Sequence, residues 1–180
     1  MIYIALLRGV NVGGKAMVSM VALKACFEQL GFTHVMTYIN SGNVIFNSTD
    51  VSTDTLARRI EASLDQTFDP GIRVLVKTND ELQALAAAIP SSWVNNADMR
   101  CDIMFLWREI DKPTIVNELP IKPDIEDVRY LPGAALWRID RPQITKSRMT
   151  RIIGTPLYKQ ITIRNANTVR KLASLANEIS

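Results

Sequence analysis

The sequence predicts an α+β chain of two tandem halves, each of β-α-β-β-α-β order, and three observations lead there. Short runs of strand composition alternate with segments of helical period in that order from Met1 to Ile89. The order returns between Cys101 and Ile163, displaced by about 100 residues. The one long polar stretch, Ser91 to Arg100, lies between the two series and marks the boundary. The expected division is 1–90, a ferredoxin-like half with a linking helix, and 91–180, a second such half with a C-terminal helix. No letter-by-letter repeat accompanies the order, so this tandem pseudo-repeat rests on the succession of elements alone.

In the first half, Met1 to Leu7 is an apolar run of the length of a buried strand. It empties at Arg8 into a loop containing Gly9, Asn11, Gly13, Gly14 and Lys15. Ser19 is placed as a helix N-cap, with Val18 and Leu23 spaced as a hydrophobic staple. Leu23, Cys26, Phe27 and Leu30 recur at helical spacing until Gly31 stops the helix. Val35 to Ile39 and Val44 to Phe46 read as strands around a tight turn, Asn40 to Asn43. A helix from Thr53 or Asp54 buries Leu56, Ile60 and Leu64 and ends at Asp69-Pro70-Gly71. Ile72, Val74 and Val76 then alternate with Arg73, Leu75 and Lys77 as a strand.

Thr78 and Glu81 have capping-box spacing before a linking helix of Leu82, Leu85, Ala86 and Ile89, terminated by Pro90. In the second half, Cys101 to Trp107 reads as a strand. Asp111 to Leu119 reads as a short helix with Pro113 in its first turn. Strands at Asp127 to Leu131 and Ala135 to Ile139 flank a Pro132-Gly133 turn. A helix over Thr145 to Ile153 and a strand over Leu157 to Ile163 complete the series. A final helix from about Asn167 buries Val169, Leu172, Ala176 and Ile179.

At 47% hydrophobic and 22% charged residues, the composition is that of a soluble globular protein. No apolar run approaches the roughly 20 residues needed to span a bilayer, so no membrane partner is expected. The first residues lack a basic segment and a small-residue cleavage site, and Ile2 to Leu7 reads as a strand and not a signal peptide. Cys26 and Cys101, widely separated, read as reduced core residues, which places the chain in the cytoplasm. The net charge of +3 hides an asymmetry: residues 129–180 carry +8 and residues 1–128 carry −5. A basic last third points to an anionic partner or to attraction between the halves.

In a ferredoxin-like sheet the end of the first strand and the turn after the second share one edge. Arg8, Asn11, Gly13, Gly14 and Lys15 are therefore expected beside Asn40, Ser41 and Asn43. The same geometry in the second half brings Lys146, Ser147 and Arg148 toward Arg164, Asn165, Asn167 and Thr168. Each group joins cations to amides or hydroxyls near a helix start, a combination suited to phosphate or carboxylate. Glycines at the end of a strand let backbone N–H groups turn inward toward such an anion. The same Asn and Ser residues serve equally well to close turns or cap helices.

Gly9 to Lys15 fits G-x-x-x-x-G-K, the front of a phosphate-binding P-loop, and follows a strand. The next residue is Ala16, where the motif needs a hydroxyl for magnesium, and no strand ends in a partner Asp. His34 is the only histidine, so no metal cluster and no Cys-His pair is expected. No cofactor is implied. No carboxylate pair is spaced for acid–base work, and Ser41 and Ser147 are the only nucleophiles worth testing, which leaves catalysis open.

Three stretches carry a resemblance: YIALLRGVNVGGK at residues 3–15, GFTHVMTYINSGNVIF at 31–46 and TIRNANTVRKL at 162–172. They resemble the bacterial family catalogued as domain of unknown function 1697, over essentially the whole chain. The resemblance implies two related ferredoxin-like α/β halves and supplies no catalytic residues, since the family has no assigned activity. Ala16, Met17 and Ser19 depart from the family pattern, as do Ala166 and Asn167, so a ligand touching those positions would differ here.

Three readings follow. The first is binding of a phosphorylated or nucleotide-like anionic small molecule at the Gly-rich basic loop. The second is a nucleic-acid module, supported by the basic last third and opposed by the absence of an aromatic stacking strand. The third is a non-catalytic interaction scaffold. The oligomeric state is not legible. The chain is expected to show no magnesium-dependent ATP or GTP hydrolysis above a buffer control. Ala16→Ser is expected not to create it, because the partner carboxylate is missing as well; turnover by the parent chain in a phosphate-release assay overturns this.

Overall fold

The computed structural model describes residues 1–11 and 17–179. The chain divides into two compact units, Met1–Gln83 with Lys171–Ser180, and Ala84–Arg170. The first unit begins with β1 (Ile2–Leu7), α1 (Met20–Gln29), β2 (Thr33–Tyr38), β3 (Asn43–Asn47), α2 (Thr53–Thr67) and β4 (Val74–Thr78). Its strands form one antiparallel sheet in the order β2-β3-β1-β4, the order of a βαββαβ unit. β1 therefore lies between β3 and β4, with Leu6 opposite Asn43 and Leu7 opposite Val74.

Local chemistry explains the elements. The Ser19 hydroxyl accepts from the Ala22 N–H at 3.4 Å and starts α1, and Gly31, at φ +83°, ends it. Ser52 caps α2 through the Thr55 N–H at 3.2 Å. The apolar stripes of both helices cover one face of the sheet: Leu23, Phe27, Leu56, Ile60 and Leu64 meet Tyr3, Ala5, Val44 and Phe46. Phe46 is the centre of an aromatic cluster, with ring centroids 4.6 Å from Phe32, 5.3 Å from Phe27 and 5.8 Å from Tyr3. His34, at φ +51°, sits where the β2–β3 register slips, and its exposed ring does not enter the core.

α3 (Asn79–Ala88) starts on the expected capping box. The Thr78 N–H donates to Glu81 Oε2 at 2.9 Å and the Glu81 N–H donates to Thr78 Oγ1 at 3.1 Å. The second unit then contains β5 (Met99–Leu106), β6 (Glu126–Leu131), β7 (Ala134–Asp140) and β8 (Ile161–Asn165); the helix that follows, α4 (Ala166–Glu178), starts in this unit and ends among the residues of the first. Its sheet order, β6-β7-β5-β8, repeats that of the first unit strand for strand. The α+β class with two tandem βαββαβ halves therefore stands.

The crossovers of the second unit differ from the sequence expectation. Asp111 to Leu119 is not an α-helix but a 3-10 turn over Pro113–Asn117, and Thr145 to Ile153 is broken into 3-10 turns at Arg141–Lys146 and Met149–Ile152. Within that span Thr145, Ser147, Thr150, Ile152 and Ile153 all disfavour a continuous helix, whereas short 3-10 turns tolerate them. The last strand starts at Ile161 instead of Leu157, because residues Tyr158–Gln160 form another 3-10 turn. These turns still cover one face of the sheet, where Met104, Leu106, Trp137, Ile139 and Ile161 pack on Ile115 and Ile152. Each unit carries one buried free thiol, Cys26 in the first and Cys101 in the second. The Cys26 thiol donates to Thr67 Oγ1 at 3.3 Å, and burial beside Asp102 pushes the Cys101 thiol up to about 11.

One close approach joins β1 to the turn after β2. The Leu7 N–H donates to the Gly42 carbonyl at 2.8 Å, and Gly42 has φ +72°. A Cβ at residue 42 would lie 2.6 Å from Val10 Cγ2 and 2.7 Å from Leu7 Cβ. Gly42→Ala therefore combines a left-handed backbone penalty with overpacking and is expected to cost about 3 kcal/mol in urea unfolding. A loss below about 1 kcal/mol would mean that the turn moves away freely.

Candidate functional site

The structure brings the described members of the first expected group, Arg8, Asn11, Asn40, Ser41 and Asn43, to the same pair of loops. Past Leu7 the β1–β4 pairing continues by one residue, the Arg8 N–H donating to the Arg73 carbonyl at 2.9 Å. Two arginines thus occupy opposed positions of adjacent antiparallel strands, where Cβ atoms lie roughly 5 Å apart. Asn11 then ties three segments together. Its side-chain amide donates to the Asn40 carbonyl at 2.8 Å and to the Val18 carbonyl at 2.9 Å, and its oxygen accepts from the Val18 N–H at 2.8 Å. Asn43, fully buried, donates to the Tyr38 carbonyl at 3.0 Å and to Ser41 Oγ at 2.9 Å. Asn11 and Asn43 therefore build the loop pair, whereas Arg8 and Asn40 reach its surface. Gly13, Gly14 and Lys15 lie outside the described residues.

Left-handed backbone gathers at the same place. Gly9 (φ +71°), Asn11 (φ +55°), Ile39 (φ +49°) and Gly42 (φ +72°) all belong to these two loops. For Ile39, β-branched and half exposed, that conformation is strained, and strain of this kind is retained where the surroundings over-determine it. Arg73 was not among the candidates drawn from the sequence. The signal was available in the strand order, since a fourth strand paired with the first must set its entry residue against the first strand's exit.

The second expected group does not assemble. Ile163 and Ser147 line the same cavity, and Arg164, the next residue on β8, is directed to the other face of the sheet opposite Ile103. Arg164 is buried there, with Nη1 donating to Thr162 Oγ1 at 3.0 Å and to the Ile163 carbonyl at 2.8 Å. Burial lowers its guanidinium to about 10. Asn165 caps α4 by accepting from the Thr168 N–H at 2.8 Å, and Asn167 holds residue 95 by donating to its carbonyl at 2.7 Å. Lys146 is exposed at the end of its 3-10 turn. The Ser147 hydroxyl donates to Glu126 Oε1 and accepts from the Met149 N–H at 3.0 Å. Glu126 also accepts from Trp137 Nε1 at 3.2 Å and from the Lys122 N–H, so Ser147 belongs to a network that fastens the crossover to the sheet.

That network borders a cavity of about 160 Å³, with Met104, Trp137, Ile144, Ile152 and Ile163 on its walls. Arg100 and Asp102 also line it, joined by Arg100 Nε donating to Asp102 Oδ2 at 2.8 Å. Neither is among the candidates drawn from the sequence, which places the start of this strand at Cys101. The alternation Arg100, Asp102, Met104 was the available signal, because it puts two charges on one face. Among the described residues no group of three or more His, Cys, Asp or Glu is placed to hold a metal ion. No helix of the described residues is long and apolar enough to cross a membrane.

The chain belongs to the family described as Protein of unknown function (DUF1697), whose family model matches residues 1–137. It is similar to the solved structure of the conserved bacterial protein SP0830 from Streptococcus pneumoniae. The two are 29% identical, with a TM-score of 0.81 over 97% of this chain and 98% of that one. No curated protein matches.

Burial holds the Asp102 carboxyl above its ordinary value of 3.8, and the charge of Arg100 only partly opposes this. A carboxyl raised on folding favours the fold below its unfolded value and loses that contribution as pH rises through the folded value. Asp102→Asn is therefore expected to gain on the parent as pH rises from about 4 to about 7, read as the difference in urea midpoint. A gap that narrows with rising pH would show that the Arg100 pair outweighs burial.

Proposed function

We propose that this chain binds a phosphorylated or nucleotide-like anionic small molecule at the loop leaving β1. The observation that carries the reading is the opposition of Arg8 and Arg73 across the β1–β4 pair. Two arginines at opposed positions of adjacent strands concentrate positive charge at one place, and an anion there gains charge-assisted contacts. The strained backbone of β-branched Ile39, in the same pair of loops, further supports a site. Exposed Asn40, with Ser41 beside it, supplies amide and hydroxyl groups of the kind that orient a phosphate or a ribose. The reading extends to a cytoplasmic protein whose two ferredoxin-like halves are copies of one unit, supported by the identical strand orders and the buried free thiols.

The basic last third favours nucleic acid less than its charge suggests. Arg138 pairs with Asp127 at 2.6 Å and Asp140 at 2.7 Å, and Arg170 donates to the carbonyls of Trp93 and Pro90, both at 2.9 Å. Arg129 lies 4.8 Å over the Trp93 ring, Arg141 holds Asn95 and Asn96, and Arg164 is buried. Five of the cations counted in the +8 are thus tied into the second unit itself.

Isothermal titration with pyrophosphate, a sugar phosphate and a nucleoside diphosphate tests the proposal. A hydrogen bond to a charged group contributes about 1.5–3 kcal/mol, so Arg8→Gln and Arg73→Gln are each expected to weaken a bound anion tenfold or more. Losses confined to one of the two, or binding of none of the three anions, would remove the bridged-arginine site. A labelled single-stranded RNA meeting about four cations would instead show a log–log salt slope near −3. Such a slope, insensitive to Arg8→Gln, would transfer the function to the basic third.

A further inference from the structure

We propose that the cavity of the second unit is a binding site for a small uncharged planar ring bearing an amide or lactam edge, read by Arg100 and Asp102 together. The inference does not rest on the loop of the first unit. Its first support is size and lining. A cavity of about 160 Å³ walled by Met104, Trp137, Ile144, Ile152 and Ile163 matches the volume of about 150 Å³ that, in an apolar engineered cavity, admits benzene. An apolar body of one ring fits such a space, with Trp137 among its walls.

The second support is the polar pair on that wall. Arg100 and Asp102 are i and i+2 on β5, so they share the face that carries Met104. Arg100 is held by two interactions: its Nε donates to Asp102 Oδ2 at 2.8 Å, and its guanidinium carbon lies 5.5 Å from the Trp137 ring centroid. Among the described residues its two terminal amino groups donate to no partner, and Asp102 Oδ1 accepts from none. The pair therefore offers held donors and a held acceptor side by side.

Charge decides the ligand class. Asp102 has a side-chain exposure of 12% and Arg100 of 44%, so the pair is partly withdrawn from water while its net charge is zero. A ligand carboxylate would satisfy Arg100 and meet repulsion from Asp102; a ligand ammonium would satisfy Asp102 and meet repulsion from Arg100. A neutral group with an acceptor next to a donor, as in an amide or lactam, satisfies both with no second charge pair to strip of water on entering an apolar cavity.

Benzamide, benzoate and benzylamine share a ring and differ in charge, and their binding to the full chain by ligand-observed NMR titration tests this. Benzamide is expected to bind at least about fivefold more tightly than either charged analogue. Asp102→Asn is expected to shift the preference to benzoate, and Arg100→Gln to shift it to benzylamine, a reversal that loss of packing would not produce. Saturable benzamide binding with that order in the parent supports the proposal even if one variant fails to fold. No saturable benzamide binding at millimolar concentration, or tighter binding of benzoate or benzylamine by the parent, overturns it.

Discussion

Residue 42 has no side chain, and the arrangement at the end of β1 depends on that. Leu7 and Val10 press against the Cα of Gly42 from the space a Cβ would take, and the Leu7 N–H closes the contact on the Gly42 carbonyl. With the turn held this close, Asn11 reaches Asn40 and fastens the loop from the other side. The exit of the central strand is therefore fixed before any ligand is considered. Holding the Arg8 position in this way lowers the ordering cost of any anion that meets it. The strain at Ile39 follows from the same tight closure, since a turn pinned at Gly42 leaves its preceding residue little choice of backbone.

The two sheets share a strand order and differ in what lies on them. In the first unit, regular helices with continuous apolar stripes leave few polar groups beneath them. In the second, proline and β-branched residues break the crossovers into 3-10 turns, whose backbone groups need partners outside the turn. Glu126 supplies several at once, accepting from Ser147, Trp137 and Lys122. A layer built this way packs less evenly than a helix, and the cavity bordered by Ser147 lies under it. The same topology thus yields a tight aromatic core in one half and a small chamber in the other.

Local features were legible in the sequence and pairings across the sheet were not. Ser19 as an N-cap and the Thr78–Glu81 capping box depend on residues three apart, and both formed as expected. The β-α-β-β-α-β order, read from periodicity, carried Arg8 and Asn11 to the edge that holds Asn40 and Ser41. Reading failed where a face had to be assigned. Ser147 and Arg164 were placed together by counting strand ends, yet the two-residue alternation of β8 puts Arg164 behind the sheet. Arg73 and Asp102 escaped for a related reason: each sits in or beside an apolar run, and its importance comes from the residue across or two along the strand. The helix expected over Thr145 to Ile153 gives way to 3-10 turns because β-branched Thr145, Thr150, Ile152 and Ile153 lower the helix propensity of that span, whatever its apolar content.

The placement of the two thiols has a practical consequence. Cys26 and Cys101 are shut away in different units, and only a thiolate reacts quickly with an alkylating reagent. With the Cys101 thiol pushed up to about 11 and Cys26 bonded to Thr67, modification of either must wait for its own surroundings to open. The native chain therefore carries two internal clocks, one for each half. Counting which cysteine is alkylated first, under conditions too mild to unfold the whole protein, separates the breathing of the aromatic core from that of the chambered half without introducing a single foreign probe.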